Sequence, residues 1–302
     1  MKESQHWYDI TGKSCHTQPY ADKKRAGESR STNLTDARRL GLFPSVTGIL
    51  GVLDKPQLTD WKLSQLSKEW RSRLMKITTR ANSGPNDVTF AIADMLERDP
   101  SELHEEILDH ALAQVEQAAD AGEIIHKGAE LALQGLEYDH DQPVYLPELD
   151  ATFPLSTFIK PVQEFVKLHQ IQPLGHEVRI VDPLRGYAGT GDLPFLIPVQ
   201  GNGFLDFKTR KTKPGIPVKA YDTQILQIAA YIYGYDWSKH DMTCEPAIGC
   251  NLYISTTEPG RIEAVWYDND QLEEADIAFT GLCWVWQFMK KYTPPNGQIL
   301  SN

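Results

Sequence analysis

After Pro173 the hydrophobic period of this chain changes from that of helices to that of strands, and each of the first three strands of the new pattern carries an acidic residue. Alternation with period 2 puts every second side chain on one face of a sheet. Glu177-Val178-Arg179-Ile180-Val181 reads as one strand, Tyr187 to Ile197 as a second and Gly203 to Thr209 as a third. The turns between them fall at Pro183-Leu184-Arg185-Gly186 and Gln200-Gly201-Asn202-Gly203. A helix over about 219–236, strands over roughly 247–255 and 261–267, and a final helix at about 270–291 follow.

The first half is helical in pattern. Residues 1–35 are polar, of mixed charge, and read as partly irregular. Pro44-Ser45-Val46-Thr47-Gly48-Ile49-Leu50 opens an apolar segment with a hydroxyl available to cap a helix. Residues 58–80 carry Trp61, Leu66, Trp70 and Leu74 at helical spacing, and Ser83-Gly84-Pro85-Asn86 breaks the pattern. Two helices are expected over 88–135, a loop or short extended segment from Tyr138 to Pro154, and a helix over 155–170. The fold class is therefore α/β: a central mixed sheet flanked by helices, with a helical N-terminal elaboration over 1–118 and a core over 119–302, the whole forming one continuous domain.

A net charge of -11 argues against a nucleic-acid enzyme until it is resolved along the chain. Residues 1–80 hold 15 Lys/Arg against 8 Asp/Glu, residues 81–150 hold 2 against 17, and the remainder 13 against 16. A local basic surface, not bulk charge, governs phosphate contact, and the first 80 residues are basic enough to offer one. No apolar run approaches the roughly 20 residues of a membrane span, and the start has no signal-like segment, so a soluble, cytoplasmic protein without a membrane partner is expected. Cys15, Cys244, Cys250 and Cys283 form no close pair and read as reduced thiols.

The chemistry concentrates in Phe204-Leu205-Asp206-Phe207-Lys208-Thr209. Asp-x-Lys at the end of an apolar run sets a carboxylate and an ammonium side by side on one face of a strand. Glu177, Asp192 and Asp206 on successive strands add further carboxylates. Gathered carboxylates repel one another unless a cation joins them, and hard oxygen ligands without a thiolate suit Mg²⁺ or Mn²⁺. Lys208 would then orient a water or stabilise developing charge.

Gly189-Thr190-Gly191-Asp192 followed by Leu205-Asp206-Phe207-Lys208-Thr209 resembles the core of the PD-(D/E)XK nucleases, in particular the RecB-like exonuclease branch. Gln227-Ile228-Ala229-Ala230-Tyr231 is similar to that branch's Gln-x-x-x-Tyr helix, and Gly122-Glu123-Ile124-Ile125-His126 to its Gly-x-x-x-His motif, with Glu130 one turn later. More loosely, Pro44-Ser45-Val46-Thr47, Lys55-Pro56 and Trp61-Lys62 are similar to the strand-threading segment of phage-type and mitochondrial members. The motifs span roughly 120–235.

The resemblance implies a divalent-metal-dependent DNA exonuclease acting on single strands or ends, in phage or bacterial replication, recombination or repair. Its catalytic residues would be Glu177, Asp192, Asp206 and Lys208. His126, Asp192, Asp206, Glu177 and the Phe207 carbonyl would hold Mg²⁺ or Mn²⁺ in a site able to take two metals. Gln227 and Tyr231, which share a helix face at i and i+4, would position DNA, helped by Ser45 and Thr47. The run Arg210, Lys211, Lys213 and Lys219 would contact the phosphate backbone. A single-strand-binding or recombination protein is the expected protein partner. The same core also serves structure-specific or nicking endonucleases and catalytically silent DNA-end-binding modules. Some members carry an iron–sulfur cluster, but with five residues between Cys244 and Cys250, Cys283 a further 33 on and no Cys-x-x-Cys, the spacing argues against one.

Overall fold

The computed structural model describes residues 6–20, 25, 27–53, 56–80, 97, 99–243 and 245–295. In chain order the elements are β1 (Trp7–Tyr8), β2 (Thr17–Pro19), β3 (Ser29–Ser31), α1 (Leu34–Leu40), β4 (Phe43–Pro44), α2 (Val46–Leu50), α3 (Pro56–Arg80) and α4 (Pro100–Leu133). There follow β5 (Pro143–Leu146), β6 (Ala151–Pro154), α5 (Ser156–Leu168), β7 (Gln172–Pro173), β8 (Val178–Asp182), β9 (Tyr187–Gly191), β10 (Leu193–Ile197) and β11 (Gly201–Arg210). The chain closes with α6 (Asp222–Gly234), β12 (Ala247–Ser255), β13 (Ile262–Tyr267) and α7 (Asn269–Lys290).

The chain divides into two compact units, one of Met1–Leu53, Ile124–Val144 and Phe153–Asn302, the other of Asp54–Glu123 and Tyr145–Thr152. This differs from the division expected at 118/119. The first residues belong with the strands because Trp7, Ala37, Val46 and Ile49 enter one core with Tyr187, Ile228 and Trp286. In the smaller unit Arg73 joins Glu69 (2.8 Å) and Glu106 (2.9 Å), an ion-paired bridge between α3 and α4. The Ser83–Asn86 breaker and the Lys55 position lie outside the described residues. From Pro100 to Leu133 the chain is one helix.

A five-stranded mixed sheet in the order β13-β12-β11-β10-β7 organises the larger unit. β11 and β12 run parallel and the other pairs antiparallel. The parallel pair requires a crossover, and α6 supplies it. Phe204 directs its ring towards Tyr231 and Trp237 on the α6 side, so Asp206 and Lys208, two and four residues on, face the same way. On the other face Phe165, His169 and Phe195 surround Trp266.

The second expected strand, Tyr187 to Ile197, is two strands. β9 pairs with β8, β10 pairs with β11 and β7, and Asp192 sits at the break. Gly191 is needed there, since a Cβ would stand 2.6 Å from the Phe204 ring. Asp182 secures the β8–β9 turn by accepting from the Arg185 backbone N–H (2.8 Å) and Nε (2.6 Å).

The N-terminal stretch read as irregular contributes β1, which pairs with β4 beside β9. Ser45 caps α2, its Oγ accepting the Gly48 N–H at 2.9 Å, and a parallel bridge ties it to Ala188. Ser45→Ala should therefore lower stability by about 1 kcal/mol, read as a shift in the urea midpoint at constant slope.

Candidate active site

The β10–β11 ladder ends at Leu193↔Leu205. Two residues further along β11, the Phe207 N–H donates to Asp192 Oδ2 at 2.7 Å. A side chain thus takes the place of the missing strand, and that substitution fixes Asp192 beside Asp206. In an extended strand the N–H and C=O of one residue address the same edge, so the Phe207 carbonyl is directed to the side where Asp192 stands.

Asp206 is buried, and its Oδ2 lies 2.5 Å from Lys208 Nζ and accepts from Asn251 Nδ2 at 3.0 Å. Asn251 is the residue paired with Asp206 in the parallel ladder, and Tyr267 Oη donates to its Oδ1 at 2.8 Å. On the other side of Lys208, Nζ donates to Gln227 Oε1 (3.3 Å), whose Nε2 donates to Tyr231 Oη (2.9 Å). A continuous polar chain therefore runs Tyr267–Asn251–Asp206–Lys208–Gln227–Tyr231 through an apolar core.

Burial and then the neighbouring Asp206 carboxylate push the Asp192 carboxyl well above its ordinary range, and Lys208 and the Phe207 N–H oppose this only in part. For Lys208 burial acts against the ammonium, but Asp206 and Asp192 outweigh it and leave its pKa raised. Burial lowers His126, with Asp206 pulling the other way. The His126 ring lies edge-on to Phe207 at 6.0 Å between centroids. Partial desolvation by its surroundings and the nearby Glu130 carboxylate raise Glu177. This residue precedes β8 rather than opening it, with φ 47, exposed to solvent, and its N–H donates to the Asp192 carbonyl at 2.9 Å.

Asp192, Asp206, Lys208, Phe207, Gln227 and Tyr231 are thus brought together, with His126 and Glu177 at the rim. Tyr231 is buried and Gln227 half-buried, with Gln227 accepting from Lys208 and donating to the Tyr231 hydroxyl. Arg210 folds back, donating to the Lys219 carbonyl (2.8 Å) with its guanidinium over the Tyr221 ring (5.0 Å). Lys211, Lys213 and Lys219 are exposed, as is Thr47 beside the buried Ser45 cap. Of the four cysteines, Cys250 and Cys283 are buried, Cys15 is half-buried, and Cys244 lies outside the described residues.

No group of three or more His, Cys, Asp or Glu side chains converges on one point among the described residues. Mg²⁺ does not require such a cage, since it is commonly held by one or two carboxylates with several waters. Among the described residues no hydrogen bond engages Asp192 Oδ1 or Asp206 Oδ1. Two adjacent carboxylates, each with one oxygen outside the protein's own network, are a donor set that fits a hard divalent cation.

Asn251 and Tyr267 were missed in the sequence. The available signal was an amide in the middle of the apolar strand Ala247–Ser255, since a buried polar side chain requires a partner. Asn251→Ala would strand both the Tyr267 hydroxyl and one bond to Asp206, and should cost about 1–3 kcal/mol in urea unfolding.

No protein-family model matches the chain, and no curated protein matches it. Among solved structures, the crystal structure of a protein designated SSO0001 aligns at 16% identity with a TM-score of 0.26, over 61% of this chain and 73% of that one. A likeness of that degree carries no argument about fold or function. What stands is a mixed α/β fold in which no helix of the described residues is long and apolar enough to cross a membrane.

Proposed function

We propose that the chain is a divalent-metal-dependent deoxyribonuclease of the PD-(D/E)XK kind, hydrolysing phosphodiester bonds in single-stranded DNA or at DNA ends. The supporting observation is the Asp192 carboxylate, held by the Phe207 N–H beside the Asp206–Lys208 ion pair. Buried like charges this close are costly unless a cation or a proton joins them. The exonucleolytic sense of this reading rests on the sequence resemblance to the RecB-like branch.

Asp192, Asp206 and the Phe207 carbonyl would hold Mg²⁺ or Mn²⁺, with His126 and Glu177 at the rim. A cation bound there would polarise the scissile phosphate and lower the pKa of a bound water. Lys208, kept cationic by the two aspartates, would meet negative charge developing on the phosphoryl oxygens. Gln227, anchored by Tyr231, would limit the positions open to the Lys208 Nζ. Exposed Lys211 and Lys213 would contact the phosphate backbone.

The test is Asp206→Ala, assayed on end-labelled oligonucleotides with Mg²⁺ or Mn²⁺. Loss of cleavage in a variant that retains the wild-type circular dichroism spectrum is expected. A folded variant that cleaves at the wild-type rate would overturn the proposal.

A further inference from the structure

α7 is apolar on two opposite faces. At about 100° per residue, Leu272, Ala275, Phe279, Cys283 and Trp286 form the face buried in the core. Ile277, Gly281, Trp284 and Phe288 run along the opposite side, flanked by Val285 and Met289. Five of these are large and exposed: Ile277 at 75%, Trp284 at 48%, Val285 at 45%, Phe288 at 84% and Met289 at 59%. Isolated apolar side chains on a surface need no explanation, but a contiguous stripe of this kind marks an interaction site.

The stripe has the spacing of a coiled-coil seam. Glu274, Ile277, Gly281, Trp284 and Phe288 follow one another at alternating intervals of three and four, the heptad rule for a helix that packs on another helix, and Lys291, the left-handed C-cap residue, stands three residues beyond them. The seam begins in acid and ends in base. Glu274 and Lys291 are both exposed, and neither has an ion-pair partner among the described residues.

We propose that this face binds a second copy of the chain, the two α7 helices lying antiparallel about a two-fold axis between Leu282 and Cys283. In that register Glu274 meets Lys291 of the other copy, Ile277 meets Phe288, and the Trp284 indole lies over Gly281, each contact occurring twice. A Cβ placed on Gly281 would meet nothing within 4 Å, so the position is an open hollow suited to an indole. A parallel pair would bring like charges together at both ends. The charge order along the seam therefore makes it self-complementary in the antiparallel, isologous arrangement and not in the parallel one. The seam covers about 27 Å of helix. This pairing is independent of the nuclease reading.

Light scattering on the eluted protein tests it. The wild type should have twice the chain mass of 34.1 kDa. Trp284→Glu should run at the single-chain mass with its far-UV spectrum unchanged. Glu274→Lys and Lys291→Glu should each weaken the dimer several-fold, and the double variant Glu274→Lys/Lys291→Glu should restore it, a rescue that misfolding of a single variant cannot mimic. A wild type that stays monomeric up to roughly 100 µM, a Trp284→Glu variant that remains dimeric, or a charge-swapped double variant no better than either single change would overturn the pairing.

Discussion

Lys208→Ala is expected to slow phosphodiester hydrolysis by about 10²–10³-fold, the usual cost of removing one preorganised electrostatic contact from a transition state. Lys208 is half-buried, with its ammonium 2.5 Å from Asp206 Oδ2 and 3.3 Å from Gln227 Oε1. No other Lys or Arg side chain shares that network among the described residues, so none can substitute for it. DNA affinity should change little, because phosphate-backbone contacts supply most nucleic-acid affinity in general and the proposed nuclease would make them through Lys211 and Lys213. In metal-free protein the same variant loses the cation facing Asp206 and should melt at a lower temperature. Mn²⁺ should recover part of that loss by binding the folded state alone. Single-turnover kinetics with and without Mn²⁺, together with a melting curve, check both halves. A variant with wild-type kcat would assign the ion pair to structure alone.

Gly203→Ala should have the largest effect on stability. Gly203 lies in β11, between Phe195 on β10 and Ile248 on β12. A Cβ there would stand 1.6 Å from the Ile248 carbonyl oxygen and 2.6 Å from its carbonyl carbon. The obstruction is backbone, so no rotamer change relieves it and the two central strands would have to separate locally. The cost is at least about 3 kcal/mol, a drop in melting temperature of roughly 5 °C for a chain of this size. Because Asp206 lies three residues further along β11, strand separation would also disturb the carboxylates, and catalysis should fall with stability. A melting temperature within about 2 °C of wild type would contradict the register of β11 against β12.

Much of the fold is legible in local pattern, and the exceptions share a cause. Strand Ala247–Ser255 stands out as a short, mostly apolar run buried on both faces, and helix Asn269–Lys290 because it buries one stripe and carries its own start signal. Asp268, for example, caps α7 by accepting the Gln271 N–H. The break at Asp192 was not legible, because Tyr187–Ile197 alternates as one strand would. It breaks where the Asp192 side chain takes a hydrogen bond that a continuing ladder would have supplied. The β1–β4 pairing was hidden for a related reason, as two-residue strands more than 30 residues apart leave no periodic trace.

The site follows the same division. Asp206 and Lys208 were placed on one face by strand alternation alone, and the Lys208–Gln227 contact agrees with that geometry. The i, i+4 spacing puts Gln227 and Tyr231 on one helix face, and α6 packing against β11 brings Gln227 on that face to Lys208, a partner that the spacing does not encode. Asn251 reaches Asp206 only through the parallel register of β12, a contact across 45 residues.

The most direct measurement is cleavage of linear DNA by the wild-type protein, with 5′- and 3′-labelled strands, in Mg²⁺, in Mn²⁺ and in EDTA. Shortened products should accumulate with either metal, be absent in EDTA and return when metal is added back. Intact DNA under every metal condition, from protein that is folded and binds DNA, would contradict the account.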